Sequence, residues 1–318
     1  MAVCSGSHSG RGGAHRAAPG RHPARRAGTL TSGLLLVDKP AGPTSQDAVT
    51  VIRRALHARR AGHAGTLDPF ATGLLVVLLG AGTRLARYVT AHTKQYAGVI
   101  RLGQTTDTDD ATGTPGLATQ AWRSLSDDDI GCAMRALTGP QAQRPPTFSA
   151  KRVGGERAYQ RARRGQEVHL APVTVDVHHF SLVAREGPDV WFNADVTSGT
   201  YIRSLARDLG ARLGCGAYLA TLRRLTIGPF QVEDAVGLTT DTAMLMASLR
   251  PLRDAVQHLP AVPVDEAGEA ALRHGQAVPL SDLLQDGTVA VVSAAAGGLL
   301  AVAEARGGRA WPRVVLES

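Results

Sequence analysis

The stretch GHAGTLDPFATGLLVVLL, residues 62–79, changes character half-way along. Gly62 to Pro69 is too rich in glycine for a helix and too interrupted for a strand, which predicts a loop. Leu74–Leu79 is an uninterrupted aliphatic run, which predicts a buried strand. Between them, Asp68-Pro69 presents a carboxylate from a backbone that proline keeps out of regular structure. Two readings stay open at this point. Aspartate is a common turn residue, so Asp68 can simply close a turn; alternatively, a loop anchored on a buried strand is a rigid mount for a reactive carboxylate.

Outward from this stretch the chain mixes strands and helices. Upstream, Leu34-Leu35-Leu36-Val37 reads as a buried strand ended by the turn Asp38–Pro43, after which Thr44 or Ser45 caps a helix through Val49, Ile52 and Leu56. Downstream, Tyr96–Leu102 alternates as a strand, and Ser126 opens a helix with Asp129 as its capping-box partner, stopped by Gly139-Pro140. A further helix is expected over Glu156–Arg164, strands over Val173–Val183 and Val190–Val196, a helix over Tyr201–Leu213, and an amphipathic connecting helix over Leu238–Leu252. From Val262 a short helix, Asp265–His274, precedes strands at Val289–Val292, Leu299–Ala303 and Val314–Leu316, a small β-rich appendage. The mixture of hairpin-like and helix-separated strands implies an α+β body.

The length of 318 residues fits one large domain and a small one. Residues 1–28 carry almost no large apolar side chains and are expected to be a disordered basic tail. The formal charge of +8 falls to +3 when the five arginines of that tail are removed, so bulk charge says little about nucleic acid. Lys39, Lys94 and Lys151 are the only lysines beside 32 arginines, which marks them as places where a guanidinium would not serve. No aliphatic run approaches the ~20 residues of a membrane helix. Cys4, Cys132 and Cys215 are scattered, arguing against a disulfide framework or zinc site and fitting a reducing cytoplasm.

The candidate chemistry lies in four places. Asp68 is the first. Ser198-Gly199-Thr200-Tyr201-Ile202-Arg203 sets Tyr201 and Arg203 at a helix start, where Arg203 can hold a carboxylate ionised and lower its pKa, or can be a surface residue. Tyr96, beside Lys94, can stack an unstacked base or be strand packing. Leu222-Arg223-Arg224-Leu225 can line an RNA groove or form a solvated edge strand. GxxxxGK[ST], GxSxG, HExxH and a strand-borne GxGxxG are absent. His178 and His179 are strand neighbours pointing to opposite faces, a poor chelate. Asp107, Asp109 and Asp110 lack calcium-loop spacing and read as an exposed acidic turn.

Together these segments resemble the bacterial tRNA pseudouridine-55 synthases, the TruB family. The resemblance is carried by GLLLVDKPAGPTSQDAV (33–49), RRAGHAGTLDPFATGLLVVLLGAGTRL (59–85), KQYAGVIRLGQTTDTDDATG (94–113), PPTFSAKRVGGERAYQRARRGQEV (145–168), SGTYIRSLARDLGARLGCGAYLATLRRLTIGPF (198–230) and LRHGQAVP (272–279), in family order. It implies a pseudouridine synthase fold: a central mixed, mainly antiparallel sheet flanked by helices over residues 29–257, with a small PUA-like RNA-binding domain over 258–318. It implies a cofactor-free, metal-free isomerisation of uridine 55 in the tRNA T-loop, by a monomer in the cytoplasm without an obligate protein partner. By resemblance, Asp68 is the nucleophile, Tyr96 stacks on the flipped base, and Tyr201 and Arg203 close the pocket, Tyr201 as a proton-transfer candidate and Arg203 as the partner of Asp68. His63 fills the place the base leaves, Leu222 contacts substrate, and Lys39-Pro40 support the loop. Phe148 departs from a common family tyrosine, and Lys151-Arg152 from an apolar-Lys pair, so RNA contacts there are expected to differ. A non-catalytic tRNA-binding or tRNA-folding protein is the alternative; the presence of Asp68, Tyr96, Tyr201 and Arg203 together favours an enzyme.

Overall fold

The structure, a computed structural model, describes residues 32–148, 170–280 and 285–316, with residues 152–153, 156–157, 161, 164 and 166. The tail 1–28, Lys151 and most of the helix expected over 156–164 lie outside the described residues.

The aliphatic run of residues 74–79 is one strand of a hairpin-like pair buried on both faces. Strand β1 (Gly33–Lys39) pairs antiparallel with β3 (Thr72–Leu79) over its whole length, from Gly33 opposite Leu79 to Lys39 opposite Gly73. Leu34, Leu36, Leu74, Val76 and Leu78 face one core, while Leu35, Val37, Leu75, Val77 and Leu79 face another with Val49 and Ile52. Alternation therefore gives way to a continuous apolar sequence, because neither face meets water. Val49 and Ile52 sit on the helix Ser45–Ala55, capped by Thr44 in a capping box with Asp47, as the Thr44/Ser45 signal predicts.

The further strands of the main sheet are β4 (Lys94–Leu102), β5 (Gly139–Gln143), β8 (Val173–Glu186), β9 (Asp189–Val196), β10 (Ala217–Ile227), β11 (Phe230–Gln231), which pairs with β10, and β12 (Val236–Gly237). With β1 and β3 they run in the order β12-β1-β3-β10-β4-β9-β8-β5. Among the described residues, only β1–β12 and β10–β3 of this sheet pair in parallel, so the sheet is mixed and mainly antiparallel, as expected. The helix Ile202–Arg212 packs Leu205, Ala206 and Leu209 on Tyr96, Ile100 and Phe192 in a third core. At the β3–β10 seam, Gly73 has φ +98, and a Cβ there would lie 2.3 Å from the Arg224 carbonyl, so only glycine brings the two strands together.

A second sheet, in the order β13-β15-β16-β17-β14, contains β13 (Ala261–Val264), β14 (Val278–Pro279), β15 (Gly287–Ser293), β16 (Leu299–Arg306) and β17 (Arg309–Val315), with the helix Glu266–Arg273 beside it. Ala290, Val302, Val314 and Leu316 of this segment share one apolar cluster with Leu34, Leu74 and Phe230 of the body.

Five expectations need correction. The first residues of the loop 62–69 join a short strand, β2 (Ala61–His63), because β3 offers His63 and its neighbours a free ladder. Glu156–Arg157 is a strand, β7, paired with Arg152–Val153, β6, instead of the start of a helix. Leu238–Leu252 is helical only over Thr242–Ala247, since Arg250 leaves the helix to bridge Leu34. Leu222–Leu225 lies in a central strand between β3 and β4, not at an edge, and Arg224 is fully buried. Asp110 is buried too, because its carboxylate accepts from the Thr108 hydroxyl (2.8 Å) and the Thr112 amide (2.9 Å) and faces an arginine, so the acidic turn is not a solvated one.

Candidate active site

The Asp68 loop is held from below by side chains that donate to its backbone. The fully buried Arg224 donates to the carbonyls of Leu74 (2.7 Å), Gly65 (3.0 Å) and Thr66 (3.3 Å). The buried Lys39 ammonium reaches the carbonyls of Pro40 (2.8 Å), Pro43 (2.9 Å) and Pro69 (3.3 Å). Ser45 Oγ donates to the Leu67 carbonyl (2.9 Å) and accepts from the Leu67 amide (2.8 Å). A compact ammonium fits among three converging carbonyls where a planar guanidinium does not, which accounts for lysine at position 39. Burial pulls the Lys39 pKa below the ordinary lysine value, opposed by Asp68 and reinforced by Arg224.

Above this mount, Arg203 grips Asp68 in a two-point ion pair, Nε to Oδ2 at 3.0 Å and Nη2 to Oδ1 at 3.2 Å. Arg203 Nη1 also reaches Asp110 Oδ2 (3.3 Å) and the Thr108 carbonyl (3.1 Å), and Nη2 the Phe148 carbonyl (3.0 Å). One turn further along the same helix, Arg207 pairs with Asp109 at 3.1 Å. Two arginines on one helix face thus fix two adjacent carboxylates, and the first shares its charge with Asp68. The net effect on Asp68 is the reverse of the sequence expectation. Burial pushes its carboxyl above the ordinary carboxylate range, Asp110 adds to the rise, and Arg203 and Lys39 oppose it without prevailing. A third of the Asp68 side chain (35%) nonetheless faces the cavity, which leaves the carboxylate reachable.

That cavity, about 290 Å³, is walled by Asp68, Lys94, Tyr96, Tyr201, Ile202, Arg203, Leu222 and Arg224 among others. Tyr96 and Arg224 are direct cross-strand partners and Leu222 lies opposite Gly98, so β4 and β10 supply one continuous floor. The buried Gln143 side chain clamps Tyr201 by accepting from its amide (2.8 Å) and donating to its carbonyl (3.1 Å). Lys94 donates to the carbonyls of His92 (2.5 Å) and Thr90 (2.8 Å), and burial, aided by the Arg224 charge, lowers its pKa to about 8.

Five sequence candidates therefore meet at one cavity: Asp68, Tyr96, Tyr201, Arg203 and Leu222. Lys39 and Pro40 lie beneath it. His63 does not line the cavity; it is half-buried on β2, kept below the ordinary histidine pKa by burial and by Arg224, and therefore neutral near pH 7. Gln143 escaped the sequence reading, whereas Arg224, Ser45 and Asp110 were read there only as a groove-lining or edge-strand charge, a possible helix cap and part of an exposed turn. Lys94 stood out there by its rarity among arginines and by its place beside Tyr96. A larger cleft, about 1040 Å³, is lined by Arg59, Arg60, Arg84, Arg253 and Arg273, with Asp254 and Glu269, and contains none of the candidates. Among the described residues, no group of three His, Cys, Asp or Glu side chains is arranged to hold a metal, and no helix is long and apolar enough to cross a membrane.

The chain as a whole has counterparts among known proteins. Residues 53–202 match the family described as TruB family pseudouridylate synthase (N terminal domain), and residues 203–258 match the tRNA pseudouridylate synthase B C-terminal domain. A tRNA pseudouridine synthase B of Roseobacter denitrificans is 46% identical over 257 residues, 79% of this chain and 84% of that protein. One from Thermobifida fusca is 44% identical over 295 residues, 90% of this chain and 99% of that protein. In three dimensions the chain is similar to a Cbf5-Nop10-Gar1 complex chain, with a TM-score of 0.69, 28% identity and coverage of 90% of this chain and 85% of that one. An H/ACA RNP bound to a substrate RNA containing 2′-deoxyuridine gives the same TM-score, 0.69, at 26% identity and the same coverage, 90% and 85%. With most of its length matched and with an aspartate-bearing loop pinned over a buried sheet, the chain belongs to the TruB family of pseudouridylate synthases.

Proposed function

We propose that this protein isomerises uridine 55 of the tRNA T-loop to pseudouridine, with Asp68 as the nucleophile. The observation that carries the reading is the Asp68 carboxylate, held at two points by Arg203 and exposed to a cavity that also contains Tyr96 and Tyr201. The reaction breaks the N1–C1′ bond and joins C1′ to C5; the C5 proton leaves and N1 regains one, so no electrons enter or leave and no cofactor is called for. A uracil inside a folded loop must be extruded at a cost of a few kcal/mol, and a cavity with a tyrosine and a leucine in its floor is suited to hold it. Asp68 attacks the extruded nucleotide, at C1′ or at C6. Arg203 keeps the carboxylate oriented and balances its charge as water is excluded. Tyr201, on the cavity wall, is the candidate to move a proton, and His63 occupies the space left in the T-loop. Residues 258–318 serve as a PUA-like RNA-binding domain, and the enzyme works as a cytoplasmic monomer on the tRNA elbow.

Pseudouridine mapping in total tRNA from cells lacking this chain tests the assignment. An unmodified T-loop uridine at position 55, restored by the wild-type chain, is expected. A fully modified T-loop would contradict it, and restoration by Asp68→Asn would favour a purely tRNA-folding role.

A further inference from the structure

The outer face of the β16–β17 pair carries a tryptophan that the core does not use. Strand alternation puts Arg309, Trp311 and Arg313 on one face of β17, while Ala310 and Val314 turn inward and are buried. The register sets Glu304 opposite Trp311 and Arg306 opposite Arg309. Trp311 is 47% exposed, and Arg306, Arg309 and Arg313 are exposed beside it. Glu304, Arg306, Trp311 and Arg313 enclose a hollow of about 200 Å³. None of these residues belongs to the Asp68 cavity.

An indole among guanidinium groups on a solvent-facing sheet offers the two things an unpaired nucleotide needs, a π-face for the base and cations for the phosphates. A protein partner fits less well, since a stable interface needs about 800 Å² per side and one indole supplies a small part of that. A second copy of the chain would bring three more arginines against these. We propose that the Trp311 face binds an unpaired nucleotide of the RNA substrate outside the T-arm, its base stacked on Trp311 and its flanking phosphates on Arg306 and Arg313. The proposal rests on the reading above of residues 258–318 as an RNA-binding domain and of tRNA as its RNA, and adds the surface and its occupant.

The test compares a full tRNA transcript with an isolated T-arm hairpin, using wild type, Trp311→Ala, Trp311→Phe and the double variant R306Q/R313Q in the full chain. Trp311→Ala is expected to weaken full-tRNA binding about tenfold while Trp311→Phe keeps most of it, and hairpin turnover stays unchanged. R306Q/R313Q is expected to lower the salt dependence of tRNA binding by about two phosphate contacts. Unchanged tRNA affinity in Trp311→Ala overturns the proposal. So does an equal loss on both RNAs, or a loss of self-association with RNA affinity intact. If wild type turns over neither RNA, the proposed reaction fails, and the surface is still decided by the affinity of Trp311→Ala for full tRNA.

Discussion

At the scale of single residues, Asp68 stands in an environment that works against its own charge. Because burial raises its pKa in the folded chain, the folded state keeps the proton longer than the unfolded state does. Stability contributed by this group therefore declines as pH rises from about 3.9 through the raised folded value. Asp68→Asn should melt at the same or a higher temperature than wild type at pH 7, and a clear drop in melting temperature would contradict this. The acid limb of kcat/KM should likewise lie above the ordinary carboxylate range, since only the ionised form attacks. Arg203→Lys keeps a cation but loses the two-point grip, so single-turnover rates are expected to fall about 100-fold, more than tRNA affinity falls. Lys94 gives the opposite pH signature. Between about 8 and the unfolded lysine value near 10.4 the folded chain has released a proton that the unfolded chain retains, so stability rises while the positive cavity floor fades. Melting temperature and RNA affinity should diverge across that window, and Lys94→Arg should flatten the affinity profile.

At the scale of elements, the seam between β3 and β10 is where the site is assembled. Gly73→Ala forces a Cβ to 2.3 Å from the Arg224 carbonyl at a φ of +98, so a loss of about 3 kcal/mol in a denaturant melt is expected. Local rules were enough to read β1, β3, β4, the capped helices at Ser45–Ala55 and Asp127–Arg135, and the strand pair Val173–Val196 from the sequence. They failed where a distant segment decides. Arg224 looks like an edge-strand charge until Gly65, Thr66 and Leu74 bring their carbonyls to it from some 150 residues away in sequence. Asp110 looks like a solvated turn until Arg203 arrives. Ser45 looks like a helix cap, but Thr44 takes that role and leaves the Ser45 hydroxyl to hold Leu67. The nucleophile candidate could be located from motif resemblance, whereas the residues that mount it contribute through backbone contacts that no spacing encodes.

At the scale of the whole molecule, the two sheets share a core. Ala290, Val302, Val314 and Leu316 lie in the same cluster as Leu34, Leu74 and Phe230, and full burial of the valine, leucine and phenylalanine side chains contributes about 1.5–3 kcal/mol each. Calorimetry should show one unfolding transition, and Val302→Asp should lower its midpoint for the body and the C-terminal sheet together; two separate transitions in wild type would refute a shared core. The positive charge of the cavity floor and the proposed role of the Trp311 face serve one proposed act, bringing a uridine to Asp68. The most direct measurement of that act is tritium release from tRNA labelled at uridine C5, made together with a tRNA-binding isotherm, on Asp68→Asn. The account predicts unchanged affinity and no release; release at the wild-type rate would contradict it.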